Sequence, residues 1–346
     1  FTAPPGNSPA PTRNDAIPRR KNGRTKPKPN KTRLISHFTP DMKEILAQFA
    51  RQAGVTIDIL EQTDSTNNRA AESRYGAGDV VIAERQEAGR GQRGNSWSST
   101  PGENLTFSVV LRPDFLPAER QFRISKAVAL AVADTIAEAG LRPAIKWPND
   151  IYIGDRKVTG ILIENDLMGP YLSRSVIGIG LNVNQTRFDP ALPNPTSLAA
   201  EAGHPFDRAE VFISFYRHLA ERYRTLAGEE TGETGETGKT GKTGPVRTQA
   251  ANQTDRPDET GGMADGYTQP PTGYDCPSTL DSDYLRLLYR LGQEHLYTDG
   301  RTRQQFLGTI TGVQPGGELE VRHSADGQLR KYLFKEIEYV IGTPEP

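Results

Sequence analysis

Gly89-Arg90-Gly91-Gln92-Arg93-Gly94-Asn95-Ser96-Trp97 follows closely on the apolar run Val80-Val81-Ile82-Ala83. Glycine at these places lets a backbone come close to a ligand. The guanidinium forks suit phosphate and carboxylate oxygens, and the indole offers a flat wall for a ring. The run points to an anionic ligand that carries a ring. Taken alone, it also reads as a solvated basic turn, so a second segment has to decide.

That segment is Lys146-Trp147-Pro148-Asn149-Asp150, continued by Ile151-Tyr152-Ile153 and by Gly154-Asp155-Arg156-Lys157-Val158-Thr159-Gly160-Ile161-Leu162-Ile163-Glu164. Its period and turn residues predict two strands around a Gly-Asp turn, entered through a Pro-Asn-Asp turn. Lysines at both ends, an amide and a carboxylate can then converge on one substrate. An Asp-Arg-Lys run at a hairpin tip is otherwise a solvated turn, and only its spacing from Lys146–Asp150 and from Gly160-Ile161 argues for more.

In this order the two segments resemble the biotin-protein ligase family, of the monofunctional type without a DNA-binding domain. The family's marks are a Gly-Arg-Gly-x-x-Gly-x-x-Trp loop and a Lys-Trp-Pro-Asn-Asp hairpin with a later Lys-x-x-Gly-Ile. Asp64-Ser65-Thr66-Asn67 before the loop and Val176-Ile177-Gly178-Ile179-Gly180-Leu181-Asn182-Val183-Asn184 after the hairpin add two more matching pieces. The likeness covers roughly residues 55–226 and 283–342. It implies an α+β fold: a class II synthetase-like catalytic domain, with a mixed sheet flanked by helices, and a small C-terminal SH3-like β-barrel.

The resemblance also implies an ATP-dependent ligase that activates biotin as biotinyl-5'-AMP and transfers it to a lysine of a biotin carboxyl carrier domain of a biotin-dependent carboxylase. Two anions must meet, so cations have to stand between them. By family position these are Arg90 and Lys157, with Asp150 as the candidate for orienting or deprotonating the acceptor lysine; its plainer reading is a turn carboxylate. Biotin contacts carry over to Ser65, Thr66, Asn67, Gln86, Gly89, Arg90, Gly91, Gln92, Lys157 and Gly160. ATP contacts carry over to Arg90, Arg93, Trp97, Asn149, Lys157 and Asn182, with Mg2+ arriving on ATP and no metal cluster of the protein's own. Ser65 and its neighbours also fit a helix cap, and Trp97 also fits a core residue. Gln92 departs from bacterial relatives that have an arginine linked to holding the adenylate. Asn95 is a common variant.

Two alternatives stay open. Lipoate and octanoate ligases share the architecture but lack this Gly-Arg-Gly loop with its tryptophan. A bifunctional ligase and repressor places a winged helix-turn-helix ahead of the catalytic domain, and that needs roughly sixty structured residues there. Only one convincing helix precedes Asp64, so specific DNA binding is not expected. Homodimerisation through the sheet is left undecided by the sequence.

Composition bounds the rest. Of 346 residues only 35% are apolar, and formal net charge is −1. Residues 1–33 hold seven prolines, nine Lys/Arg and one acid, and residues 228–279 contain no Leu, Ile, Phe or Trp. Neither stretch can bury enough apolar surface to offset chain entropy, so a disordered basic tail (1–33) and a low-complexity insertion (228–280) are expected around a catalytic domain at 34–227, a helix and connection at 281–303 and the small domain at 304–346. Cys276 is alone in the insertion and the five histidines are scattered, which points to a reducing cytoplasm and no thiolate metal site. No apolar run reaches membrane length.

Within these bounds the spacing predicts a helix from Thr39-Pro40, a second over 120–139, strands at 80–84, 104–111 and 175–183, and a helix over 208–226. Another helix over 282–291 closes at Gly292. Short strands near 304–312, 318–322, 329–334 and 337–341 follow.

Overall fold

The computed structural model describes residues 38–232 and 279–341; the basic stretch 1–33, Cys276 and the insertion between 233 and 278 lie outside the described residues. Helix α1 (Pro40–Ala53) starts as its sequence dictates: Thr39 Oγ1 accepts from Met42 N, Pro40 occupies the first turn and Gly54 ends it with φ +69°. The strands that follow are β1 (Ile57–Thr63), β2 (Val80–Gln86), β3 (Leu105–Leu111), β4 (Pro143–Lys146), β5 (Asp150–Ile153), β6 (Arg156–Met168) and β7 (Tyr171–Leu181). They form one sheet in the order β1-β2-β3-β7-β6-β5-β4. Only β1 and β2 run parallel. The mixed sheet flanked by helices is therefore as expected.

Alternation along the strands separates the two faces. Val80, Ile82, Phe107, Val109, Ile177 and Ile179 join the main core. That core also takes Ile124, Val128 and Val132 of α3 (Phe122–Glu138) and Phe212, Phe215 and Leu219 of α5 (Arg208–Thr231). Their neighbours Val81, Val110 and Val176 face the opposite way, into a smaller cluster with Ala70 of the short helix α2 (Thr66–Ala70). On that second face β7 carries Gly178 and Gly180 in place of large side chains, so a hollow is left where two further apolar residues would have filled it.

The α5 helix runs past the expected end at 226 to Thr231, four residues into the stretch assigned to the insertion. Charge explains the extension: Glu229 and Glu230 pair with Arg123 of α3, and Glu230 also with Arg120. The next helix is shorter than its pattern: α6 covers Leu280–Arg286 behind a capping box at Thr279 and Ser282. Residues 287–289 then leave the helix, and Ile145 of β4 exchanges backbone hydrogen bonds with Leu287 and Tyr289, which covers the exposed edge of the sheet.

The C-terminal strands are β8 (Glu294–Asp299), β9 (Gln305–Val313), β10 (Leu319–His323), β11 (Leu329–Tyr332) and β12 (Ile337–Tyr339), in the order β11-β10-β9-β8-β12. All of their pairings are antiparallel. The expected barrel is not closed, since β11 and β12 do not pair with each other. Between them Phe334 and Lys335 line a cavity of the larger sheet. β8 was not expected from the sequence and lies between β9 and β12 in this sheet.

Candidate active site

A cavity of about 380 Å³ opens on the glycine-bearing face of the large sheet. Its floor follows from register: Gly160 of β6 stands opposite Gly180 of β7, Leu162 opposite Gly178, and Gly178 and Gly180 opposite Ser108 and Thr106 of β3. The glycines are needed. A Cβ at Gly178 would sit 2.2 Å from Asn67 Oδ1, and one at Gly180 would sit 2.0 Å from the Trp97 ring. The Trp97 indole therefore lies against the Gly160–Gly180 pair as a half-buried wall. Its Nε1 is buried with no hydrogen-bond partner among the described residues, an orphan donor of the kind a ligand acceptor satisfies.

The loop that delivers Trp97 is folded on itself. Trp97 N donates to Gly89 O at 2.9 Å and Gly91 N to Asn95 O at 2.7 Å, and a Cβ at Gly89 would lie 2.3 Å from Trp97 O. Gly89 thus closes the loop and does not line the cavity, whereas Arg90, Gly91 and Gln92 do. Arg93 lies in a single tight turn, Gln92–Gly94, and its side chain is outside the described residues.

At one end the cavity is lined by Ser65, Thr66, Asn67 and Gln86. Gln86 Oε1 accepts from Thr66 N (2.7 Å) and Thr66 Oγ1 (3.1 Å). The start of α2 is thus held by Gln86 of β2, and Ser65, although first in position, makes no side-chain cap bond. Ser108 Oγ donates to Asn67 Oδ1 at 2.6 Å, and Asn67 Nδ2 donates to Glu164 Oε2 at 2.8 Å. Arg90 Nη2 reaches the same Glu164 oxygen at 2.9 Å. These groups form a polar end with donors and acceptors on rigid elements.

The other end carries charge. Lys157 Nζ lies 2.7 Å from Asp150 Oδ1 and 5.8 Å from the Trp97 ring. Its backbone is held on both sides, by Asn194 O and Thr196 N. Asn149 Nδ2 donates to Ile161 O at 2.7 Å, which locks the Pro-Asn-Asp turn to β6. Lys146 also lines the cavity, between the rings of Tyr152 and Tyr339. Burial holds its ammonium below the ordinary lysine pKa, Lys157 and Arg290 add to the effect, and Asp150 opposes it. Asn182 stands apart: it lines no part of the cavity, is buried, and donates to Thr196 O at 2.9 Å. It braces the loop that holds Lys157.

Arg90 and Lys157, 67 positions apart in sequence, therefore line one cavity with Asp150, Trp97, Asn149 and Gly160. The resemblance sets the small C-terminal domain beside the site, but sequence reasoning named none of its lining residues, Phe334, Lys335, Ile337, Glu338 and Tyr339, which complete the far wall. What docks that sheet is Trp147, whose Nε1 donates to Gly317 O at 2.8 Å, while Gly317 (φ +100°) packs so close to Phe122 that a Cβ would lie 2.7 Å from its ring. Sequence reasoning also missed Glu164. Alternation from Gly160 through Leu162 to residue 164 is the signal that places it on the cavity face.

On this mixed sheet a glycine-floored cleft carries both hydrogen-bonding groups and cations, and residues 59–182 match the Biotin/lipoate A/B protein ligase family. The chain carries a domain of that family. It is 37% identical over 173 residues to the Bifunctional ligase/repressor BirA of Bacillus subtilis, covering 48% of this chain and 52% of that protein. It is also 37% identical over 161 residues to the Biotin--[acetyl-CoA-carboxylase] ligase of Paracoccus denitrificans, covering 44% and 66%. The chain spans about half the length of the BirA proteins it matches. In fold it resembles the biotin protein ligase from Aquifex aeolicus in complex with biotin and ATP, with TM-score 0.58 and 21% identity over 82% of this chain and 99% of that one.

Proposed function

We propose that this protein activates biotin with ATP as biotinyl-5'-AMP and passes the biotinyl group to a lysine of a biotin carboxyl carrier domain. The observation that carries this reading is that Arg90 and Lys157 line one cavity, which also offers Ser65, Thr66, Asn67 and Gln86 at the end where Arg90 is anchored. A urea ring suits that polar end, because its buried N–H and C=O groups need partners. A carboxylate oxygen attacks the α-phosphorus, the bond to the β-phosphate oxygen breaks and pyrophosphate leaves. In the second step the acceptor amine attacks the acyl carbon, AMP leaves and the amine loses a proton.

The two reacting anions repel each other, and cations fixed between them lower that barrier. Arg90 and Lys157 serve this purpose, Trp97 and Asn149 border the nucleoside, and Asp150, which pairs with Lys157 and lines the same cavity, orients the acceptor lysine. Arg93 and Asn182 enter only as nucleotide-side candidates, the second through its brace on the Lys157 loop. Mg2+ enters with the triphosphate, as the resemblance implies. We place the activity in the cytoplasm on the chain's single cysteine, as expected for a reducing compartment; no helix among the described residues is long and apolar enough to cross a membrane.

Biotin-dependent exchange of labelled pyrophosphate into ATP, run beside lipoate, tests the reading. Removing one fixed donor costs typically about 3–4 kcal/mol in the transition state. Lys157→Ala and Arg90→Ala should each slow exchange by roughly two to three orders of magnitude on that scale. Exchange that needs lipoate, or variants that match the parent, would overturn it.

A further inference from the structure

We propose that Glu164 is a positioning residue for Arg90, fixing the loop guanidinium and the Asn67 amide through one shared carboxylate oxygen; this rests on the ligase reading above. Glu164 Oε2 takes Asn67 Nδ2 at 2.8 Å and Arg90 Nη2 at 2.9 Å. Arg90 Nη2 also donates to Asn68 Oδ1 at 2.7 Å, and Asn68 Nδ2 in turn donates to Asp64 Oδ2 at 2.6 Å. The arginine is therefore strung between β6 and α2, the two elements that border the polar end of the cavity.

Geometry gives the arrangement its use. Both of these bonds leave from Nη2, so Nε and Nη1 keep donors uncommitted among the described residues, each able to bind one anionic oxygen. Asn67 is wedged by Gly178 and Ser108, so the Glu164 oxygen has a rigid neighbour on one side and a glycine-rich loop on the other. It transmits the order of the sheet to the loop. Without it, Arg90 depends on Asn68 alone, and a guanidinium on a three-glycine loop has many poses to lose on binding. The side chains of Arg90 and Glu164 are 44% and 41% exposed, and exposed pairs contribute little to global stability. Replacing Glu164 should therefore leave the fold intact and act on the site.

The test compares Glu164→Ala, Glu164→Gln, Arg90→Ala and the double variant Arg90→Ala/Glu164→Ala in the full chain. Brief trypsin digestion of the ligand-free protein is read by mass at the bond after Arg90, with the bond after the exposed Arg187 as internal control. Glu164→Ala should cut severalfold faster after Arg90 relative to Arg187, with Glu164→Gln closer to the parent. In pyrophosphate exchange Glu164→Ala should raise the biotin KM about tenfold, as loss of a preorganised charge-assisted contact does, and change kcat by no more than about twofold. The double variant should match Arg90→Ala. Unchanged cleavage after Arg90, a lower biotin KM, or full additivity in the double variant would overturn the proposal. A parent protein with no biotin-dependent exchange would sink the ligase reading instead, and the digestion alone would then judge Glu164.

Discussion

Excising the low-complexity insertion should stabilise or destabilise the protein according to where the cut falls. Leu280 N donates to Glu229 Oε1 at 2.9 Å, so the two flanks of the insertion are already tied together by one side chain. The same Glu229 and its neighbour Glu230 meet Arg123, whose side chain is 8% exposed, with Glu230 at 3%. Joining Gly232 to Thr279 through about four Gly/Ser residues keeps this clamp, the Gly232 cap of α5 and the capping box of α6. Going from the 46 residues of 233–278, which contain no Leu, Ile, Phe or Trp, to four shortens the loop to be closed, and the logarithmic length dependence makes that worth about 2 kcal/mol. A cut from 228 to 279 instead removes both glutamates and the Thr279 cap. A buried arginine without its partner costs about 3–5 kcal/mol, and a lost cap about 1 kcal/mol. Urea unfolding followed by circular dichroism reads the difference, with pyrophosphate exchange as the check on the site. The shorter excision should unfold at higher urea than the parent and the longer one at clearly lower urea. Equal midpoints for the two excisions would refute the clamp.

Gly180→Ala should drive the Trp97 indole off the sheet, because its Cβ would fall 2.0 Å from the ring. A shifted tryptophan emission and a higher KM for ATP are expected, at a stability cost of about 1–3 kcal/mol, and unchanged emission would count against the packing. His323 predicts acid sensitivity of the C-terminal sheet: it is buried, stacked on Phe306 at 4.0 Å, and takes a hydrogen bond from Arg330 at Nδ1. Burial first and Arg330 second hold its pKa below the ordinary imidazole value of 6.5, so the fold favours the neutral ring. That contribution is complete above about pH 6.5 and is lost as pH falls from there through the lower folded pKa. His323→Phe should flatten this part of the stability profile in thermal melts between pH 7 and 5, and an unchanged slope would exclude His323 as the titrating group.

How much of this was legible depends on how local each cause is. The caps of α1, the turn at Pro148-Asn149-Asp150 and the loop from Gly89 to Trp97 owe their form to residues within a few positions, and sequence reading placed them. The cavity floor was legible one step further out, because apolar residues alternating with Gly178 and Gly180 imply a filled face and a hollow one. By the same alternation Glu164 was available and was passed over. The end of α5 was not legible. Gly228-Glu229-Glu230-Thr231 has the composition of the Thr-Gly repeat beside it, and its helical state is decided by Arg120 and Arg123, more than a hundred positions away. β8 was hidden for a related reason, since Glu294–Asp299 is a short, half-buried strand whose place is set by pairing with β9 and β12 on either side. The far wall of the cavity is the clearest case. Nothing in Phe334-Lys335-Glu336-Ile337-Glu338-Tyr339 marks a ligand site, and its position follows from the seating of the C-terminal sheet, in which the Trp147 indole binds Gly317 and Gly317 fits against Phe122. The tryptophan of the Lys146–Asp150 motif therefore acts on the site indirectly, by fixing the wall that Lys146 and Lys157 face.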